Sequence, residues 1–339
     1  MTTDDGRRWA MACIILGGVR CDEPHDIPTN ETGDEDMDII ATGLEFPEGP
    51  IALADGSVLL VELARSTLVR IEPDGRKQEL AHAPGAFNGA AIGPDGRVYL
   101  CNNGGFGWVR ERGTLRPHLQ APDYAGGGID VFDFATGRVE RLYDRCGGQP
   151  LKGPNDLVFD ASGGFWFSDL GKRRARDMDR GFVYWARADG SEIREVIGPL
   201  LTPNGIGLSP DGKTLYVAET ETARLWAWEI TGPGQVRKRP WPSPAGGTLI
   251  AGVGGHTRFD SLALSASGNI CVAALHAGAV IEIAPTGARV QSHPMPDLGV
   301  TNICFGGADM RTAYVTLSHE GRLGAMQWHE PGLRLNFQQ

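Results

Sequence analysis

Six polar side chains recur along this sequence at one fixed distance ahead of a turn. Each lies eight positions before a Gly, or before Met310 in the last copy, and a short apolar strand pattern follows. These six residues, which we call the leaders, are Glu48, Asn88, Asn155, Asn204, Asp260 and Asn302. Carboxylate and carboxamide oxygens suit hard divalent cations, above all Ca²⁺, whereas Zn²⁺ prefers His and Cys. The leaders therefore predict a cation site if the fold brings them together.

The spacing of the leaders indicates the architecture. Successive leaders are 40, 67, 49, 56 and 42 residues apart, which is typical of β-propeller blades. Each copy contains two strand patterns around a tight turn, and two further strand patterns lie between copies. Gly occurs 48 times in 339 residues, about twice its usual share of about 7%. We therefore predict an all-β fold, a six-bladed β-propeller with four strands in each blade.

The chain is predicted to have two parts. Residues 1–36 form an N-terminal extension, and residues 37–339 form one propeller catalytic domain, in which the segment 37–40 joins the last blade and closes the ring. The apolar stretch 9–19 is too short to cross a bilayer. Six Cys without a CxxC pair favour a reducing compartment over a disulfide framework. We expect a cytoplasmic protein, with export by an atypical N-terminal signal as the alternative.

Composition also limits the partners. A formal net charge of −10 argues against nucleic-acid binding, which requires a basic surface. The basic run at 172–176 is followed by Asp177 and Asp179, so we interpret it as a solvated loop. The sequence contains no G-x-S-x-G elbow and no P-loop. The expected partner is a small molecule, without nucleic acid or membrane, and the oligomeric state is not predicted.

Propeller topology places more polar residues at the same mouth as the leaders. The innermost strand of a blade lines the central channel, and the second strand returns to the same end. The polar residues 14 to 17 positions past the leaders are Glu62, Asn102, Asn103, Asp169, Glu219, Thr220, His276 and His319. The longest gap adds glycine and aromatic residues at 102–108 and 124–128, which predict a partial lid, with a plain surface loop as the alternative.

Four segments carry a resemblance to a known family. They are residues 46–50 (FPEGP), 153–160 (GPNDLVFD), 202–212 (TPNGIGLSPDG) and 259–268 (FDSLALSASG). In this order and spacing they resemble the SMP-30/gluconolactonase/LRE-like family, over about residues 38–330. The resemblance implies a six-bladed propeller with one divalent metal at the mouth of the channel.

The resemblance also implies roles for individual leaders. It implies Glu48, Asn204 and Asp260 as metal ligands, Asn155 as a further ligand or a substrate contact, and Asp260 as base or nucleophile. Two positions depart from the family pattern. Ser261 follows Asp260 where the family very often has Gly, and Asp156-Leu157 follows Asn155 where many sugar lactonases have Asp-Gly. These departures affect the substrate more than the metal.

The resulting functional prediction is a divalent-metal-dependent hydrolase that opens a lactone. The metal polarises the lactone carbonyl and a carboxylate base activates water, with Asp260 as the catalytic residue. Ca²⁺ is the expected metal, with Mn²⁺, Zn²⁺ or Fe²⁺ as alternatives. The predicted metal ligands are Glu48, Asn155, Asn204 and Asp260. The predicted substrate contacts are Asn88, Asn103, Asp169, His276 and His319.

Several alternatives stay open at this point. A carboxylate that binds a cation is a weak base, so His276 or His319 could act as acid or base instead. The same metal site could hydrolyse another ester or a phosphotriester, or the propeller could bind a ligand without catalysis. The lactone is not identified, because a polar rim suits a sugar lactone, whereas Phe106, Trp108 and Tyr124 suit an apolar or aromatic one.

Overall fold

The computed structural model describes residues 37–288 and 290–338. Every secondary-structure element in that part of the chain is a β-strand. Six antiparallel sheets surround one central channel, so the predicted six-bladed β-propeller is confirmed. The N-terminal extension 1–36 lies outside the described residues, and its boundary and role stay predictions. A search of the described residues found no helix with the length and apolar character that a bilayer crossing requires.

The strands are numbered in chain order, and each blade is given from the channel outward. The chain begins with β1 (Asp38–Ala41), and blade 1 contains β2 (Pro47–Ala52), β3 (Val58–Glu62), β4 (Thr67–Ile71) and β5 (Lys77–His82). Blade 2 begins with β6 (Phe87–Ile92) and β7 (Val98–Asn102), continues through a hairpin of β8 (Phe106–Glu111) and β9 (Thr114–Gln120), and ends with β10 (Gly128–Asp133) and β11 (Arg138–Tyr143). A short pair follows, β12 (Arg145–Cys146) and β13 (Gln149–Pro150).

The remaining blades repeat this plan. Blade 3 contains β14 (Pro154–Phe159), β15 (Gly164–Asp169), β16 (Gly181–Arg187) and β17 (Ile193–Leu200). Blade 4 contains β18 (Pro203–Leu208), β19 (Thr214–Glu219), β20 (Arg224–Gly232), β21 (Gln235–Arg237) and β22 (Thr248–Gly252). Blade 5 contains β23 (Arg258–Leu264), β24 (Ile270–Leu275), β25 (Ala279–Ile283) and β26 (Val290–Pro294). Blade 6 contains β27 (Val300–Gly306), β28 (Thr312–Leu317), β29 (Arg322–Gln327) and β1.

The ring closes as the sequence predicts. The strand β1 pairs antiparallel with β29, with Asp38 opposite Ala325, so both ends of the domain share blade 6. Two features depart from four strands per blade. In blade 4, β20 pairs with both β21 and β22, and in blade 2 the longest gap between leaders holds the β8–β9 hairpin. The uneven leader spacing reflects these insertions rather than a change in blade number.

Apolar side chains fill the wedges between adjacent blades. The wedge between blades 3 and 4 contains Trp166, Trp185 and Trp226, all buried. Cys101 and Cys271 are buried in such clusters, and the four cysteines in the described part of the chain are free thiols. The flat blade faces can bury this surface only against one another, so the blades form one cooperative ring.

Near the channel axis the blades approach each other through their backbones. Gly49 follows the leader Glu48, and a Cβ atom there would lie 2.7 Å from the carbonyl oxygen of Asn88. Gly205 follows the leader Asn204, and its Cβ would lie 2.7 Å from the carbonyl oxygen of Asp260. Real Cβ atoms essentially never come so close to backbone. Glycine after these leaders therefore lets neighbouring leaders converge.

Replacing Gly205 by Ala tests this constraint. The added Cβ would force the backbones of blades 4 and 5 apart, and overpacking of this kind costs about 1–3 kcal/mol. We expect Gly205→Ala to lower the free energy of unfolding in urea and to weaken metal binding. Gly254→Ala is the matched control, because nothing lies within 4 Å of a Cβ at Gly254. Equal stability of the two variants would contradict the proposed close approach.

Candidate active site

A local distortion of the innermost strands accompanies the leaders. In all six blades the pairing between the first and second strands shifts register at or beside the leader. The shift lies between Glu48 and Ile51 in β2, and between Phe259 and Leu262 in β23. Such β-bulges bend a strand and redirect its side chains, and they are common beside active sites. The strand pairing is thus interrupted where the leaders turn toward the channel mouth.

A cavity of about 270 Å³ occupies this mouth. Five of the six leaders line it, namely Glu48, Asn88, Asn155, Asn204 and Asp260. The sixth, Asn302, holds Glu48 in place by donating a hydrogen bond from Nδ2 to Oε2 of Glu48 at 3.2 Å. The backbone N–H of Gly49 donates to the same Oε2 at 3.0 Å. Two donors therefore fix one oxygen of Glu48, and its carboxylate lines the cavity where a ligand can bind.

The carboxamides in the cavity are open to further partners. Within the described part of the chain, the side chains of Asn88 and Asn155 make no hydrogen bond, although both residues are buried. Asn204 donates from Nδ2 to Oγ1 of Thr220 at 3.1 Å and lies beside Asp260. Both Asn88 and Asn155 line the cavity, so their amide groups are available to a ligand, an ion or water there.

Three buried carboxyl groups dominate the electrostatics of the channel. Burial raises the pKa of Glu48 to about 7, against the opposing hydrogen bonds from Asn302 and Gly49. Burial also raises the pKa of Asp156 to about 7. The pKa of Asp260 is raised well above its usual value by burial and then by repulsion from Glu48. Among the described residues, no Lys or Arg forms an ion pair with these groups, so a bound cation would relieve their repulsion.

The donor set fits a hard divalent cation. Glu48 and Asp260 provide two carboxylates, and Asn155 and Asn204 provide neutral amide oxygens around one cavity. Ca²⁺ binds six to eight such oxygens, whereas Zn²⁺ and other softer ions prefer imidazole or thiolate. The four predicted metal ligands can therefore hold one hard cation together.

Asp156 is a functional candidate that the sequence reasoning missed. Unlike Asn155, it does not line the mouth cavity. It accepts a hydrogen bond from the Leu157 N–H at 2.9 Å and adds repulsion to both Glu48 and Asp260. A signal was present, because Asp156 occupies the position after a leader, where three other blades have Gly. A charged residue at that crowded position indicates a role in the channel.

Both predicted rim histidines line the cavity. Burial lowers the pKa of His276 and of His319, so both imidazoles are mainly neutral at pH 7. His276 has a left-handed backbone with φ of 67°, and its Nδ1 lies 3.3 Å from the carbonyl oxygen of His256. A strained conformation of this kind often occurs at functional sites. A neutral imidazole at the rim can donate a hydrogen bond to a substrate through one ring nitrogen and accept one through the other.

Two other predicted substrate contacts, Asn103 and Asp169, are not among the side chains that line the cavity. Asp169 accepts hydrogen bonds from the backbone N–H groups of Lys152, Gly153 and Gly171 at 2.7 to 2.9 Å, and so fixes two loops. Asn103 accepts one from the Gly105 N–H at 2.8 Å. These residues lie at the same end of their blades as the leaders but farther from the channel axis, which sequence spacing cannot reveal.

The β8–β9 hairpin covers part of the mouth, where the sequence predicted a lid. It contributes Phe106, Arg116, Pro117 and His118 to the wall of the cavity. The Leu115 N–H donates to the carbonyl oxygen of His319 at 2.9 Å, which joins the hairpin to blade 6. The hairpin thus spans the mouth from blade 2 to blade 6 and narrows access to the leaders.

The interpretation of residues 172–176 as a solvated loop is wrong for Lys172. This side chain is buried, lines the cavity and donates from Nζ to the carbonyl oxygen of Gly105 at 2.9 Å. Its ammonium group also lies 4.2 Å from the ring centre of Phe106. Burial lowers the pKa of Lys172 to about 7, although Asp169 and Asp179 oppose this effect. Lys172 thus anchors the hairpin to blade 3.

Arginines complete a cationic rim that the sequence reasoning also missed. Arg173 and Arg258 line the cavity and share the carboxylate of Glu221 at 3.1 and 3.2 Å. Arg116 lines the cavity from the hairpin, where its nearest carboxylate partner, Glu111, is 3.9 Å away. The rim therefore carries more cationic than anionic side chains. The carboxyl groups of Glu48 and Asp260 lie below it in the cavity.

Comparison with known proteins supports this description. Residues 46–319 match the family described as SMP-30/Gluconolactonase/LRE-like region. A gluconolactonase of Zymomonas mobilis is 24% identical over 84% of this chain and 79% of its own length. A 6-deoxy-6-sulfogluconolactonase of Pseudomonas putida is 29% identical over 63% of this chain and 68% of its own length.

A solved structure shows the same fold. The calcium-binding protein regucalcin of Agrobacterium tumefaciens superimposes with a TM-score of 0.67 and 20% identity, covering 88% of this chain and 97% of that protein. The family match covers most of the propeller and includes all six leaders, both the five that line the cavity and Asn302. On this basis the chain belongs to the SMP-30/gluconolactonase/LRE-like family.

Proposed function

We propose that the cavity hydrolyses a small-molecule lactone with the help of one divalent cation. Its relatives include proteins named gluconolactonase and lactonase, and the chain is accordingly a lactone-hydrolysing enzyme, a carboxylic ester hydrolase. The observation that carries the metal proposal is the group of two buried carboxylates and unpartnered carboxamides around one cavity. The alternative metal-site chemistries, ester and phosphotriester hydrolysis, have no separate observation in their favour.

The proposed ligands are Glu48, Asn155, Asn204 and Asp260. Their oxygens, together with the calcium-binding protein among the structural neighbours, favour Ca²⁺ as the resident ion. When bound, a divalent cation polarises a lactone carbonyl and lowers the pKa of a water molecule. Asn302 has the supporting role of orienting Glu48 through the hydrogen bond at 3.2 Å.

Asp260 is the proposed general base. In the metal-free chain, burial and the nearby Glu48 raise its pKa. A bound cation lowers that pKa again, so the assignment depends on the position of Asp260 in the cavity beside the other proposed ligands. Asp260 therefore takes the proton of the attacking water on the floor of the cavity. Asn88, His276 and His319 are proposed to bind the lactone, because all three line the same cavity.

The cationic rim favours a lactone with an anionic substituent. Arg116, Arg173 and Arg258 surround the entrance, and Glu221 neutralises only one of the two arginines that it contacts. The relative from Pseudomonas putida is named for a sulfonated sugar lactone. We therefore propose that this chain accepts sugar lactones that carry a phosphate, sulfonate or carboxylate group.

Substitution of the two carboxylates tests the catalytic proposal. We expect Asp260→Asn and Glu48→Gln each to reduce kcat/KM for gluconolactone by at least about 100-fold, because base and cation are both affected. Lactone opening is followed by pH-stat with the spontaneous reaction subtracted, and Ca²⁺ content is measured after dialysis. The matched control is Glu229→Gln, because Glu229 is an exposed carboxylate that forms an ion pair with Arg237.

Two results would overturn the catalytic proposal. Full activity with normal metal content in either carboxylate variant would remove these residues from the site. Inactivity of the wild-type protein toward a panel of lactones with Ca²⁺, Mn²⁺, Zn²⁺ or Fe²⁺ would favour a non-catalytic ligand-binding propeller. Turnover of aryl esters or phosphotriesters alone would identify the alternative hydrolase.

The buried carboxyls predict a pH effect on the metal-free protein. The pKa values of Glu48 and Asp156 are about 7 in the folded chain, so the folded state holds protons that the unfolded chain releases above about pH 4. Stability should therefore fall as the pH rises from 5 to 8. We expect the Tm in EGTA to drop by a few degrees over this range, and excess Ca²⁺ to abolish the drop.

Asp156→Asn provides the internal check on this pH effect. Removing one carboxyl leaves less repulsion, so the metal-free variant should lose less Tm between pH 5 and 8 than the wild type. Asp123→Asn, at an exposed position, should behave like the wild type. A Tm that rises with pH in EGTA would show that the pKa values of these carboxyl groups are not raised in the folded chain.

Arg258→Gln tests the substrate class. We expect kcat/KM for 6-phosphogluconolactone to fall about tenfold, which corresponds to a loss of about 1.4 kcal/mol in transition-state stabilisation. For uncharged gluconolactone, kcat/KM should change less than about twofold. Arg237→Gln, outside the cavity, should change neither value. Equal losses for both lactones would show that Arg258 does not distinguish an anionic substituent.

A further inference from the structure

A second cluster of metal-binding side chains lies away from the cavity, between blades 5 and 6. Glu282 lies in β25, His293 lies in the neighbouring β26, and His329 follows β29 by two residues. One ligand atom from each side chain lies within 4.8 Å of the others. None of these residues lines the lactone cavity. The cluster is therefore structurally separate from the proposed calcium site.

The distances in this cluster match those of a shared transition metal. The Nε2 atoms of His293 and His329 lie 3.0 and 3.4 Å from the same oxygen, Oε2 of Glu282. Ligands at about 2.0–2.2 Å from a tetrahedral Zn²⁺ are about 3.3–3.6 Å apart from one another. The 3.0 Å contact between His293 and Glu282 is a hydrogen bond, which a bound ion would replace.

Neighbouring side chains hold the residues of this cluster in place. Glu282 is 2% exposed, and Nδ2 of Asn269 donates to its other oxygen, Oε1, at 2.6 Å. The ring of Trp328 packs on the His293 imidazole with centres 4.4 Å apart. His329 is 45% exposed, which leaves a path for an ion from solvent. Oriented ligands with an open side are the features expected of a metal site.

A fourth ligand is within reach. Oε1 of Glu330 lies 3.8 Å from Nε2 of His329, and Oγ of Ser267 donates to that oxygen at 3.0 Å. Two imidazoles and one or two carboxylates suit Zn²⁺ and related ions better than Ca²⁺. The two sites of this protein therefore differ in chemistry, with oxygen donors in the cavity and mixed nitrogen and oxygen donors here.

We propose that Glu282, His293 and His329 form a structural Zn²⁺ site that fastens the C-terminal segment to blade 5. From His329 onward the chain leaves blade 6 and passes under blade 5, where the Ala266 N–H donates to the carbonyl oxygen of Pro331 and the Leu333 N–H to that of Leu264, each at 2.8 Å. The ion joins the start of this segment to two strands of blade 5.

The test uses the full chain with the cavity site disabled. In the double variant Glu48→Gln/Asp260→Asn, we expect one equivalent of Zn²⁺ to remain after dialysis, measured by elemental analysis. Adding His329→Asn, a half-exposed position, should weaken Zn²⁺ binding at least tenfold, and His293→Ala should abolish it. His82→Ala, at an exposed histidine of blade 1, is the matched control and should retain the ion.

Two further measurements make the outcome decisive. Zn²⁺ should raise the Tm of the wild type, and this rise should be lost in His329→Asn while lactone hydrolysis is retained. Co²⁺ bound to the double variant should give the visible absorption of a tetrahedral site, and His329→Asn should lose it. Absence of Zn²⁺ from the double variant, or unchanged affinity in both histidine variants, would overturn the proposal whatever the outcome for the lactonase.

Discussion

The channel is constrained by the burial of three carboxyl groups that interact with one another. An isolated buried charge is expensive, and like charges raise the cost further. Glu48, Asp156 and Asp260 therefore need protons or a cation to coexist, and their raised pKa values express this need. The propeller supplies the stiffness that keeps them together, since each group is attached to a different innermost strand of a closed ring.

Much of this arrangement could be predicted from the repeat. The fixed distance between leader and turn identifies the innermost strand of each blade, and topology then brings all leaders to one mouth. Asn103 and Asp169 show the limit of this reasoning. Their spacing gives the correct end of the blade but not the distance from the axis, which depends on how each second strand meets its loop. Both side chains form hydrogen bonds with loop backbone.

Other features depend on contacts between distant parts of the chain. Lys172 belongs to a basic run in the sequence, yet Gly105 and the ring of Phe106, more than 60 residues earlier, bury it. The Glu282 and His329 pair is separated by 47 residues and meets only because the last blade lies beside blade 5. Neither environment has a local pattern, so only the assembled ring reveals it.

Charges of opposite sign lie at different depths of the cavity, with arginines at the entrance and carboxyl groups below. This arrangement affects the release of product. Lactone opening creates a carboxylate beside Glu48 and Asp260, where a divalent cation can balance only two of the three carboxyl charges. Asp156 adds a fourth negative charge whenever it is ionised, and so increases the repulsion on Glu48 and Asp260. The guanidinium groups of Arg173 and Arg258 attract the new anion toward the entrance. Repulsion below and attraction above both favour outward movement of the product, so under the proposed function the field that would attract an anionic lactone would also assist release of the opened acid.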